Sequence, residues 1–128
     1  VKRLMNQERL ASFATVNAYN RPHVVPVFFT YGSGKVYVQA DRKSLKVRNL
    51  ARNQNAAVAV YRGEEAIIIS GQGRVIESES EFRKRTEQHI DKYCLKLDAQ
   101  GRDSMGIQLF NFQTRCVTKI TSEKILYW

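Results

Sequence analysis

Arg42, Lys43, Ser44 and Lys46 stand together in the run VYVQADRKSLKVRNLARN, residues 36–53, and their chemistry is that of an anion site. Two ammonium groups, a guanidinium and a hydroxyl are the donors that would hold a phosphate monoester through charge-assisted hydrogen bonds. Their spacing lets them meet, since Lys43 and Lys46 are one helical turn apart and Arg42 precedes Lys46 by four residues. Arg48 and Arg52 follow, and no acidic residue occurs between Asp41 and Glu64. The solvated face of an ordinary surface helix would carry the same cations. What points to phosphate is where they fall.

The elements around them explain the placement. Val36, Tyr37 and Val38 read as a strand, whereas Leu45, Val47, Leu50 and Ala51 recur with helical spacing, so a strand runs straight into a helix over 43–53. Asp41 is the expected N-cap. A helix start leaves its first amide N–H groups unpaired and carries partial positive charge, which suits an anion.

A chain of 128 residues, 43% hydrophobic and 26% charged, is expected to form one domain over residues 1–128. The net charge of +9 calls for an anionic partner without naming it. Cys94 and Cys116 are too few for a disulfide framework, and with only His23 and His89 no metal-ligand spacing occurs, so both thiols are expected to be reduced. No apolar run approaches a membrane span and no signal peptide is evident, which leads to the expectation of a cytoplasmic protein.

In chain order, residues 2–11 suggest a short amphipathic helix. Strands are expected over Ser12–Tyr19 and His23–Tyr31, with a hairpin turn at Asn20-Arg21-Pro22. Gly32-Ser33-Gly34 turns the chain into a third strand, Lys35–Ala40, before the helix. Ala56–Tyr61 reads as a strand buried on both faces, and AIIISGQGRVIES as a long fifth strand. Gly71 and Gly73 interrupt that strand, where a bulge or sharp coiling would let the sheet close into a barrel. Ser78 and Glu81 form a capping box for a helix ending near Asp98. His89 falls on its apolar stripe, as a packed core-edge residue. Residues 98–106 read as a polar loop, Ile107–Ser122 as the last strand, and the apolar ending Ile125–Trp128 as a segment that docks.

This order of elements, with RPHVVPVFF, ADRKSLKVRNL, the VAV strand and GQGRV, resembles the pyridoxamine 5′-phosphate oxidase-like family of flavin-binding split barrels, including its branch that uses the 8-hydroxy-5-deazaflavin coenzyme. The resemblance covers roughly residues 5–128. It implies a mainly β fold with flanking helices, a six-stranded antiparallel Greek-key split β-barrel, and a homodimer with cofactor at the interface.

By that resemblance Arg42, Ser44 and Lys46 hold the phosphate of flavin mononucleotide (FMN). Val25, Pro26 and Val27 run along the isoalloxazine edge, and Gln39, Ala40 and Asp41 end the adjoining strand. Trp128 sits where related chains approach the neighbouring subunit's cofactor, and Asn49 ties the helix to the barrel. The chain ends SEKILYW with no arginine after Arg115, unlike the vitamin B6 oxidase signature that grips the substrate phosphate. The implied activity is therefore a flavin-dependent oxidoreductase acting on a small-molecule redox substrate, with no catalytic side chain identified because the cofactor supplies the chemistry. The deazaflavin coenzyme is the alternative cofactor, and a flavin-binding sensor or store is not separated from an enzyme. A small barrel that binds single-stranded nucleic acid is the alternative of another class, but the basic run 41–53 lacks aromatics for base stacking.

Overall fold

The computed structural model describes residues 2–94 and 108–127. Ten elements occur among them in the order α1 (Lys2–Gln7), β1 (Ala11–Val16), β2 (Pro22–Val27), β3 (Thr30–Gly32), β4 (Lys35–Asp41), α2 (Leu45–Arg52), β5 (Asn55–Arg62), β6 (Glu65–Val75), α3 (Glu79–Cys94) and β7 (Arg115–Tyr127). The strands form one antiparallel sheet in the order β2-β1-β5-β6-β7-β4-β3, in which β1 pairs with β5 and β4 with β7 across Greek-key connections.

That order forces the sheet to curl. Strands β2 and β3 are its two edges, and in a flat seven-stranded sheet they would stand about 29 Å apart at a spacing of ~4.8 Å. Only Phe28 and Phe29 join them, and three Cα steps reach at most about 11 Å. The fold is therefore a split barrel whose seam lies between β2 and β3. Its interior holds Phe13, Val36, Val38, Val58, Val60, Ile67, Ile69 and Ile120, contributed by β1, β4, β5, β6 and β7.

The seam corrects the expected six strands to seven. The apolar run His23–Tyr31 is broken at Phe28–Phe29, and its two parts pair with different partners, β2 with β1 and β3 with β4. Hydrophobicity alone does not mark such a break. The β3–β4 hairpin is made by Ser33 and Gly34, whose φ values of 53° and 75° match a two-residue turn with both central residues in the left-handed region.

Gly71 does mark a bulge, since the β6–β7 register shifts between Ser70 and Gly71. A Cβ at Gly71 would stand 1.9 Å from the carbonyl oxygen of Thr121, so no side chain fits there. At Gly73 a Cβ would meet Leu50 at 2.9 Å, and the bare backbone lets α2 pack onto the barrel end.

Two further expectations change. Strand β5 is buried on one face only, with Val58 and Val60 inward and Ala57 and Ala59 half-buried outward. The last strand is Arg115–Tyr127, later than the expected 107–122. Asn111 turns the chain first: its side-chain oxygen accepts the Gln113 amide, and its carbonyl accepts those of Thr114 and Arg115. Phe110 and Phe112 therefore lie outside the strand, and Phe112 packs on Phe82 of α3 at 5.0 Å between ring centroids. The apolar ending belongs to β7, where Ile125, Leu126 and Tyr127 pair with Ile69, Ile68 and Ile67. The Ser78 hydroxyl accepts the Glu81 amide at 3.3 Å, as the capping box requires. The expected polar loop 98–106 and Ile107 lie outside the described residues, as does the expected end of α3 near Asp98. No described helix is long and apolar enough to cross a membrane.

Candidate functional site

Strand β4 delivers its last residue, Asp41, opposite Arg115 of β7. The chain then turns at once. Asp41 Oδ1 accepts the Lys43 amide at 2.8 Å, and the Asp41 carbonyl accepts both the Ser44 amide (3.0 Å) and the Ser44 hydroxyl (2.7 Å). Asp41 thus holds the turn that precedes the helix, and Ser44, not Asp41, takes the N-cap position. Because Ser44 points its hydroxyl back to Asp41, no side chain caps the helix. The first-turn amides of Leu45, Lys46 and Val47 have no acceptor within the helix.

Helix α2 is seated by three buried contacts. Val47 packs with Ala40 and Cys116, Leu50 lies against Gly73, and Asn49, fully buried, donates from Nδ2 to the Thr15 hydroxyl at 3.0 Å. Asn49 thereby ties helix to barrel. Lys46 is left half-buried beside Asp41, Arg115 and Cys116, while Lys43, Arg48 and Arg52 are exposed.

Arg42 turns the other way from Lys43. Its Nε donates to the Phe112 carbonyl at 2.7 Å, its guanidinium stacks 4.6 Å from the Phe112 ring centroid, and its amide donates to the Thr114 carbonyl. Gln39, two residues back and so on the same face of β4 as Asp41, donates from Nε2 to the Leu109 carbonyl at 2.8 Å. Its Oε1 accepts Arg115 Nε at 2.8 Å and Arg115 Nη2 as well.

The result is three half-buried cations, Arg42, Lys46 and Arg115, gathered around Asp41 and the buried free thiol of Cys116. Burial, and then the Arg115 guanidinium, hold the Lys46 amine below the usual lysine range, although Cys116 and Asp41 oppose this. Burial raises the Cys116 thiol despite the cations that pull it down, so it stays protonated and inert. Like charges held this close in partial burial repel unless an anion joins them. Arg115 had no local signal in the sequence, because only the β4–β7 register brings it to Asp41.

The chain matches the pyridoxamine 5′-phosphate oxidase family over residues 1–128. It belongs to that family. No curated protein matches it. Solved structures share the split-barrel fold at low identity. A conserved hypothetical protein, Rv2991, from Mycobacterium tuberculosis superposes with a TM-score of 0.86 at 17% identity, covering 99% of this chain and 81% of that one. HutZ, the heme storage protein of Vibrio cholerae, gives 0.79 at 16% identity over 98% and 89% of the two chains. An F420 reductase gives 0.72 at 16% identity over 98% and 94%. The names of the last two structures differ, one for heme and one for F420, and what they share with this chain is the fold.

Within this pyridoxamine 5′-phosphate oxidase-family barrel, the expected site residues separate into groups. Gln39, Asp41, Arg42, Ser44 and Lys46 come together with Arg115, and Ala40 lies beneath them, its side chain packed on Val47 and Cys116. Val25, Pro26 and Val27 lie on β2 instead, paired with Phe13, Ser12 and Ala11. Val27 is buried with the barrel interior and Val25 packs against it, whereas Pro26 is exposed and lines a cavity of about 440 Å³ with Arg9, Leu10, Ser12 and Tyr61. Trp128 lies outside the described residues.

Proposed function

We propose that this chain is an FMN-binding oxidoreductase that grips the cofactor's phosphate at the start of α2. The observation that carries this reading is the gathering of Arg42, Lys46 and Arg115 beside the Ser44 hydroxyl and the uncapped first turn, with Asp41 as their neighbouring carboxylate. Such a group matches a dianionic phosphate in charge and in donor type. Bound flavin supplies hydride and electron transfer. The residues of the chain hold its phosphate and orient it from a rigid strand end.

The protein acts as a homodimer in this reading. Residues in register alternate between the barrel interior and its outside, and the outward row Pro26, Ser12, Ala59, Ile68 and Leu126 crosses five strands. Val24, Pro26, Tyr61 and Leu126 on that outer face are exposed. An apolar, small-residue face of this extent is suited to an isologous contact with a second copy. The exposed Pro26 of β2 would then reach a cofactor shared between subunits.

A deazaflavin keeps the same anchor, and the exposed Arg48 and Arg52 on α2 would serve its longer acidic tail. Binding of single-stranded nucleic acid has less support, because Tyr37 is buried under Arg85, 4.2 Å from its ring centroid, and so offers no stacking platform. Titrating the protein with FMN, the deazaflavin coenzyme and a short oligonucleotide separates these readings. Tight oligonucleotide binding without response to either flavin would refute the oxidoreductase.

A further inference from the structure

We infer that Arg115, aimed by the side-chain amide of Gln39, is the residue that makes this site select a phosphorylated flavin over an unphosphorylated one. This rests on the flavin reading above and adds to it a specificity residue outside the 36–53 run. Three observations converge on it.

Arg115 is the first residue of β7, directly opposite Asp41, the last residue of β4 before the phosphate turn. Its guanidinium is not free to swing. Gln39 Oε1 accepts two of its N–H groups, and the Gln39 amide nitrogen is itself committed to the Leu109 carbonyl. A guanidinium has five donors in a fixed fork, so the two taken by Gln39 leave three for other acceptors. A neutral amide orients the guanidinium without adding a second negative charge beside that of Asp41, so the local balance stays positive.

The pairing also shows what Gln39 does. An amide with one end on Arg115 and the other on the 108–114 turn is a positioning residue, which fixes the cation relative to the Asp41 turn. Arg42 fastens the same turn through Phe112. Arg42 and Gln39 thus anchor one segment, and Arg115 follows directly from it. Lys46 supplies a movable ammonium from the helix and Arg115 a rigid fork from the sheet, which suits them to different oxygens of one phosphate.

The test is the ratio of FMN to riboflavin affinity, two ligands that differ by the phosphate alone. Loss of general structure lowers both affinities, so the ratio reads the phosphate contact. In wild-type protein FMN should bind more tightly than riboflavin, and R115M should shrink that preference by about tenfold or more, the worth of one charge-assisted hydrogen bond. Q39L, which keeps the charge and removes its aim, should shrink the preference by less than R115M does. If R115M does not fold, R115K, which keeps the charge and loses the fork, is read in the same way. An FMN preference retained in full by the Arg115 variant would overturn the role of Arg115 and leave the flavin reading standing. Wild-type protein that binds both ligands equally, or neither, would overturn the phosphate reading and this assignment together.

Discussion

The Tyr93 hydroxyl accepts the backbone N–H of Phe29 at 2.9 Å and lies 2.7 Å from the carbonyl oxygen of the same residue. Tyr93 thus pairs with Phe29 much as a neighbouring strand would, at the seam where β2 and β3 are the two edges of the described sheet. Its single proton is shared between the Phe29 carbonyl and that of Arg9, 2.9 Å away. Lys92 reinforces the clasp, donating to the carbonyls of Phe29 (3.0 Å) and Met5 (3.1 Å) with its ammonium over the Phe29 ring. Helix α3 closes the seam.

Tyr93→Phe should therefore cost about 1–3 kcal/mol, because the buried Phe29 amide loses its acceptor. Hydrogen exchange at the Phe29 amide should accelerate more than exchange at Val58 in mid-sheet. Equal effects at both would show that the seam opens only with global unfolding.

Acid stability should depend on His89. Burial, then Arg115 and Lys92, lower its pKa from 6.5 to about 4, and it packs against Phe28 and Tyr93. The unfolded chain binds this proton below pH 6.5 while the folded chain does not until about pH 4. The stabilisation from His89 is thus complete above pH 6.5 and is lost as pH falls towards 4, to the extent of about 3 kcal/mol. Denaturant titrations between pH 7 and 4 should show a shallower acid limb for His89→Phe than for wild type, and parallel limbs would contradict the assignment.

Lys46→Ala should weaken FMN binding by roughly tenfold or more, the loss of one charge-assisted phosphate contact. Lys84→Ala, at an exposed position on α3, removes the same charge away from the site and should leave the affinity within about twofold. Calorimetric titration compares them, and similar losses would mean that net charge rather than a built site attracts the cofactor.

Leu126→Glu should convert a dimer to a monomer in light scattering, since it sets a carboxylate in the middle of the proposed apolar contact with little cost to the barrel interior. A variant that remains dimeric would place the contact elsewhere.

Gly71→Ala should be far more damaging than Gly63→Ala despite the similar chemistry. At Gly71 the added carbon collides with the Thr121 carbonyl at 1.9 Å, whereas at Gly63 nothing lies within 4 Å and only its φ of +59° opposes the change. The expected losses are about 3 kcal/mol or more against about 1 kcal/mol, measurable by chemical denaturation.

The strand-to-helix switch at residues 36–53, the cations at the helix start and the bulge at Gly71 were legible in the sequence because each is written in neighbouring residues: a period changes, a charge run begins, a glycine interrupts a strand. The break at Phe28–Phe29 was not, because the two phenylalanines continue the apolar run of β2 with no turn residue between them and β3, and only the pairing of the two parts with different partners divides them. The same holds for Arg115. It looks like any surface arginine until the β4–β7 register sets it opposite Asp41 and Gln39 takes hold of it. Local chemistry wrote the helix start and its run of cations; non-local strand pairing, which no short window of sequence encodes, decided which cations gather beside it and which, like Lys43, are left in water.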